Sequence, residues 1–225
     1  MSNQSNRIII ITIPHGFCTY RAIGYPDRNC DLRAYESAHK LYEKLVKKGV
    51  YPLLFPSIIE RAEHDLNRPW SREVSWRRSL EHTLQKLRKL GNDRIIILVD
   101  MHSFIGPIRR PDLHPEEDFR DKKMGLLDFD GLNKYTGGLL QNLQKALGET
   151  NIVFVPGSEV NDIQLTSRKY VNYSFLIENN EDSSKYTEDD LDKAMETIAT
   201  YLLTFEPPTF QGSVAGSANN SCILF

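Results

Sequence analysis

Three residues in the chain are of the types that hold a catalytic metal and move protons, and each follows a run that reads as a β-strand. His15 lies in Pro14-His15-Gly16 after the run Arg7–Ile13, His102 lies in Asp100-Met101-His102-Ser103 at the close of the run beginning at Arg94, and Glu178 follows Asn172–Ile177. Imidazole and carboxylate are ligands that zinc prefers, and a catalytic zinc keeps three protein ligands and one open position for water. Water bound there has a lowered pKa and attacks a carbonyl, while a carboxylate outside the metal shell carries the proton. In open α/β sheets, ligands bind beyond the carboxyl ends of the strands, so three residues at such ends can converge. Singly, each has a plainer reading, as a hydrogen-bonded loop histidine or a glutamate that ends a strand in water. Their coincidence is what points to chemistry.

The third ligand is open at this level. Asp27 and Asp31 both fall between His15 and the first helical pattern, and Asp31 equally suits an ordinary helix N-cap. Cys18 offers a soft ligand, or simply a small buried side chain. A second unusual stretch is Asp65-Leu66-Asn67-Arg68-Pro69-Trp70. Its Asn-Arg pair offers a planar fork to a carboxylate. It reads equally as a helix start, with Pro69 near the first position and Ser71 as cap.

The elements that must position these residues alternate. Arg7–Ile13 (RIIIITI) reads as a fully buried strand closed by Pro14. Residues 31–48 read as a helix with Tyr35, Ala38, Leu41, Tyr42 and Leu45 on one face, stopped by Gly49. Val50–Phe55 reads as a strand weakened by Pro52, which favours an edge or a strand start. A helix over 73–90 turns Val74, Leu80, Leu84 and Leu87 inward, and Arg94–Met101 (RIIILVDM) is the clearest strand. Residues 105–130 read as a long charged surface excursion of the kind that forms a lid. A helix over 132–147, a short strand at 152–155 and a strand at 172–177 follow. Thr187, with Asp190 three residues on, starts a final helix whose apolar face is Leu191, Ala194, Met195, Ile198 and Leu202. This alternation predicts a three-layer α/β/α sandwich around a mixed, mostly parallel sheet. It predicts one domain over residues 1–205 and a disordered tail over 206–225, where periodicity is lost.

Composition narrows the class. The chain has 225 residues, is 40% hydrophobic and carries a formal net charge of -2. Nothing basic enough for nucleic acid is present, and Arg77-Arg78 and Arg109-Arg110 read as solvated surface. No run approaches the roughly 20 apolar residues of a membrane helix, and the polar start at Met1–Asn6 does not suit a signal peptide. Three sparse cysteines, Cys18, Cys30 and Cys222, give no disulfide framework, so a reducing, cytoplasmic setting is expected. The terminal Cys222-Ile223-Leu224-Phe225 fits a prenylation box, a single weak anchor without stable membrane insertion.

The ordered set PHG (14–16), DLNRPW (65–70), VDMHS (99–103) and SFLIE (174–178), with Arg61 a few residues before DLNR, resembles the N-formylglutamate amidohydrolase family. That family is similar in fold to the zinc carboxypeptidases and aspartoacylases. The resemblance spans roughly residues 8–182. It implies Zn2+ held by His15, His102 and an acidic residue, placed at Asp31 with Asp27 second. It implies Glu178 as general base and then acid, and Asn67, Arg68 and Asn161 as substrate-binding residues. The substrate it implies is a small molecule or peptide with a free carboxylate, cleaved at an amide bond. The chain departs from the family at Phe17, where a small residue is usual, and at Gln164–Ser167, where glycines are. A metallocarboxypeptidase acting on peptide C-termini and a non-catalytic binding protein on the same fold are the alternative readings.

Overall fold

The structure is a computed structural model that describes residues 6–17, 30–61, 63–91, 93–104, 122–128, 134–156 and 161–208. The strands are β1 (Arg7–Ile13), β2 (Leu53–Pro56), β3 (Ile95–Phe104), β4 (Met124–Asp128), β5 (Ile152–Pro156) and β6 (Tyr173–Asn180). The helices are α1 (Ala34–Lys47), α2 (Ser75–Lys89), α3 (Lys134–Leu147), α4 (Asp162–Ser167) and α5 (Glu188–Thr204).

The six strands form one sheet in the order β2-β1-β3-β6-β4-β5. Its pairs are parallel except β4 with β6, which is antiparallel. Alternate residues of each strand serve opposite faces. Ile9, Ile11, Ile13, Ile97, Val99 and Met101 pack on α1, α3 and α5. Ile10, Ile96 and Leu98 pack on the other side with Leu80 and Leu84 of α2 and Ile163 of α4. Helices on both faces of a mixed, mostly parallel sheet give the expected three-layer α/β/α sandwich. β2 and β3 flank β1 on opposite sides. β2, the strand that follows β1 in the chain, and β4, the strand that follows β3, lie on opposite sides of the β1–β3 pair, a topological switch point of the kind beyond which ligands bind in open α/β sheets.

Local signals account for most boundaries. Gly49 follows α1 at φ 81, a conformation that suits glycine after a helix. Thr187 caps α5 through the reciprocal box with Asp190. The apolar face read for α5 is buried. Tyr35 departs from expectation: it is 53% exposed, because only Ala38, Leu41 and Leu45 of the face assigned to α1 reach the core fully. β2 is the sheet edge, as Pro52 suggested, and spans only Leu53–Pro56.

Three readings need correction. The stretch read as a surface lid contains β4, a fully buried strand; the rest of 105–121 and 129–133 lies outside the described residues. Four apolar or glycine positions are too few to show periodicity, and β4 forms only because β6 and β5 lie ready on either side of it. The segment 161–167, to which no helix was assigned, holds the short helix α4. Arg77, read as solvated, is buried and donates to Asp162, Leu66 O and Thr166. Asn172 Nδ2 donates to Pro208 O at 3.0 Å; the rest of the predicted tail, residues 209–225 including Cys222, lies outside the described residues.

Burial pushes the Asp162 carboxyl up, but hydrogen bonds from Arg72 and Arg77 outweigh it and hold the group below its usual range. Stability from this contact is present above the unfolded carboxylate value of about 3.9 and is lost as pH falls through the folded value. Replacing Arg77 by Met leaves a buried carboxylate half paired. It is expected to cost about 3 kcal/mol, read as a lower urea midpoint with an unchanged slope.

Candidate metal centre

His15 follows β1 directly, in a turn where backbone packs tightly: a Cβ at Gly16 would meet Ile13 Cγ2 at 2.7 Å. The chain returns to this turn at Asp31, whose amide donates to His15 O at 2.9 Å. α1 starts only at Ala34 and has no side-chain cap. Asp31 is therefore not spent as a cap, and its carboxylate turns to the histidines. His102 lies within β3, which runs two residues past it to Phe104, and Glu178 lies within β6. Both belong to the carboxyl-terminal parts of their strands, although neither follows a strand end as the sequence suggested.

The three residues named as ligands come together. His15, Asp31 and His102 are buried and offer one ligand atom each within 4.8 Å of one another. His102 Nδ1 stands 2.7 Å from Asp31 Oδ2, and His15 Nδ1 stands 3.7 Å from the same oxygen. Bonds of ~2 Å at a tetrahedral centre put ligand atoms ~3.4 Å apart, so these separations bracket what zinc ligation needs. His15 Nδ1 is buried without a hydrogen-bond partner, an orphan that a metal would satisfy. Asp27, the other candidate for third ligand, and Cys18 lie outside the described residues.

The far side of each imidazole meets a carboxylate, the arrangement that orients metal-ligating histidines. His102 Nε2 is 3.1 Å from Asp100 Oδ2. His15 Nε2 is 3.1 Å from Asp65 Oδ1, without the alignment of a hydrogen bond. Asp100 is itself held by Thr12 Oγ1 at 2.6 Å and Asn161 Nδ2 at 2.8 Å. Arg61 lies 3.6 Å from both Asp31 Oδ1 and Asp65 Oδ2. Asp65, Asp100 and Thr12 were given no role from the sequence. The available signals were Asp65 opening the DLNR stretch, and Asp100 two residues before His102, hence on the same strand face.

The remaining predicted residues are placed as follows. Glu178 is buried and pairs with His102 across β3 and β6, so the two side chains share a face of the sheet. On its other side Glu178 pairs with Gly125 of β4, which in turn pairs with Val153. Asn67 Nδ2 is 3.3 Å from His102 Nε2, and its Oδ1 is buried without a partner. Arg68 Nε donates to Asp65 Oδ2 at 3.2 Å, and its terminal nitrogens make no hydrogen bond to a described residue. Asn161 caps α4 by accepting from Gln164 N at 3.0 Å and donates to Asp100, so both ends of its amide are engaged. Ser71, read as a cap for α2, instead donates to Asp65 O and closes the DLNR turn. Cys30, next to Asp31, is disulfide-bonded, against the expectation of unpaired thiols; its partner lies outside the described residues. Pairing depends on a Cα separation that only the fold sets. No described helix is long and apolar enough to cross a membrane.

Burial alone would push the His102 imidazolium down, but Asp100 and Asp31 outweigh it and hold its pKa well above the usual histidine value. Burial pushes the Asp31 carboxyl up, but His102 and His15 hold it well below the carboxylate range. Asp65 is held down against burial by His15 and Arg61, and Asp100 by His102, Thr12 and Asn161. Asp31, Asp65 and Asp100 are thus three buried or half-buried anions.

No family model matches the chain, and no curated protein matches it in sequence. Solved structures match it in fold. A gene product of Agrobacterium tumefaciens aligns at 12% identity over 88% of this chain and 88% of its own, with a TM-score of 0.57. N-acetylmuramoyl-L-alanine amidase AmiC2 of Nostoc punctiforme aligns at 12% identity over 90% of this chain and 97% of its own, with a TM-score of 0.51. The chain is similar to both in fold, and one of the two is an amidase.

Without metal, the proton on His102 supports folding below the unfolded histidine value of about 6.5, and this support is lost as pH rises through the raised folded value. A metal must displace that proton. Calorimetric titration of Zn2+ into metal-free protein at pH 7, in buffers of different ionisation enthalpy, is expected to show release of about one proton. Binding with no proton release would contradict the assignment.

Proposed function

We propose that the protein is a zinc-dependent amidohydrolase that cleaves the amide bond of an N-formyl or N-acyl amino-acid-like substrate bearing a free carboxylate. The observation that carries this reading is the buried His15–Asp31–His102 cluster, with Glu178 beside His102 on the same sheet face. A fold shared with an N-acetylmuramoyl-L-alanine amidase is consistent with it, because that enzyme's name also describes an acyl group joined to an amino acid.

His15, Asp31 and His102 would hold the ion, oriented by Asp65 and Asp100. Zinc bound there supplies a Lewis acid and lowers the pKa of a coordinated water. Glu178 takes the proton from the attacking water and passes it to the amide nitrogen as the amine leaves. Asn67 Oδ1, buried and unpartnered, accepts a hydrogen bond from the substrate. Arg68, whose terminal nitrogens bond no described residue, and Arg61 receive the substrate carboxylate. Asn161 acts here through Asp100 rather than on the substrate, since its amide is already engaged at both ends.

Two measurements test this. Purified protein is expected to contain zinc and to release amino acids from N-formyl or N-acyl derivatives. Glu178→Gln should keep the zinc and lose kcat by about 10²–10⁴-fold, whereas His102→Ala should lose both. Protein that holds no zinc, or a Glu178→Gln variant as active as wild type, would sink the reading. Arg68→Ala should raise KM for substrates with a free carboxylate while leaving their amidated counterparts unaffected. Equal loss on both would remove Arg68 from the carboxylate site.

A further inference from the structure

Beyond Glu178 the end of β6 reads Glu178-Asn179-Asn180-Glu181, and each of the last three positions grips a part of the chain that carries a ligand. Asn179 Nδ2 donates to His102 O at 3.2 Å. Asn180 O accepts from the Arg33 guanidinium at 3.0 Å. The Glu181 amide continues the ladder, donating to Phe104 O at 2.9 Å. Its side chain reaches across to the segment between Asp31 and α1. Glu181 Oε1 accepts from Leu32 N at 2.8 Å and from Ser103 Oγ at 2.6 Å. Ser103 Oγ accepts in turn from Arg33 N at 3.1 Å.

The Leu32 and Arg33 amides precede the first turn of α1, where N–H groups have no intrahelical partners. Nothing local satisfies them, because α1 has no side-chain cap. Asp31 itself is tied through its backbone, its amide donating to His15 O at 2.9 Å and its carbonyl accepting from Ala34 N at 3.1 Å, but neither bond orients its carboxylate. Burial and the nearby Asp31 push the Glu181 carboxyl up, opposed by hydrogen bonds from Ser103 and from the Leu32 and Arg33 amides. A carboxylate kept in such a place must be held by its donors.

We infer that Glu181 is a positioning residue for the metal centre: it ties the two amides after Asp31 to the strand end that carries Glu178, and so fixes the Asp31 carboxylate against His102. The inference rests on the reading that Asp31 is a ligand. One strand end then sets three positions at once: the proton carrier directly, His102 through Asn179, and Asp31 through Glu181.

The test compares wild type, Glu181→Ala, Glu181→Gln and Ser103→Ala. Zinc affinity is measured by competition with a chromophoric chelator on folded protein, and the visible spectrum is recorded after Co2+ loading. Glu181→Ala should weaken zinc binding by roughly 10–100-fold, as loss of outer-shell partners does, while Glu181→Gln, which keeps the Oε1 acceptor, should stay within about 3-fold of wild type. The Co2+ spectrum should shift in Glu181→Ala and not in Glu181→Gln. A merely structural role would lower the unfolding midpoint of metal-free protein and leave affinity and spectrum unchanged; that result overturns the inference. If Glu181→Ala does not fold, Ser103→Ala removes half of the same anchor and must weaken zinc binding for the inference to stand. Wild type that binds no zinc would instead overturn the metal reading itself.

Discussion

The Asp31 carboxylate, shared between His15 and His102 at the end of the sheet, is the interaction around which the rest of the site is arranged. A buried anion is costly unless it is paired and fully hydrogen-bonded. Here one oxygen faces both imidazoles, and the other faces Arg61. The imidazoles can serve that oxygen only if their other nitrogens are also compensated, which is what Asp65 and Asp100 do. Those carboxylates need partners in turn, and Thr12, Asn161, Arg61 and Arg68 supply them. Most polar residues around the site thus follow from one buried carboxylate.

The fold explains why these groups lie together. β1 and β3 are adjacent and parallel, so His15 and His102 are carried at the same end of the sheet. The DLNR turn is brought in from the α2 side and fastened by Asp162 N to Asn67 O and by Arg77 to Leu66 O. β6 completes the site on the other flank, carrying Glu178 in register with His102. The buried Arg77–Asp162 pair thus braces the neighbours of Asn67 and Asn161.

How much of this was legible depends on the range of the interaction that decides each feature. The buried runs of β1 and β3, the Gly49 stop and the Thr187–Asp190 box are local, and their residues carry the signal unaided. β4 and α4 are short segments with little propensity of their own. Pairing with β6 and β5 makes one, and the Asn161 cap with the Asp162–arginine contacts makes the other, so neither could be read from a window of sequence. Arg77 shows the same limit in a charge: beside Arg78 it looks like solvated surface, and only the packing of α2 on α4 reveals its buried partner. Cys30 shows it in a covalent bond.

The sequence alone determined the layer architecture and the residues able to do chemistry, because strand and helix periodicity and the donor atoms of His, Asp and Glu are properties of the residues themselves. It could not choose between ligand and cap for Asp31, since either role suits an aspartate before a helix. The tertiary structure decided that α1 starts three residues later and that the Asp31 carboxylate faces two imidazoles. It also gave Asp65, Asp100 and Glu181 their partners, which lie 50, 2 and 149 residues away in the chain. The physical reason is that a buried charge is defined by what surrounds it, and those surroundings come from several elements at once.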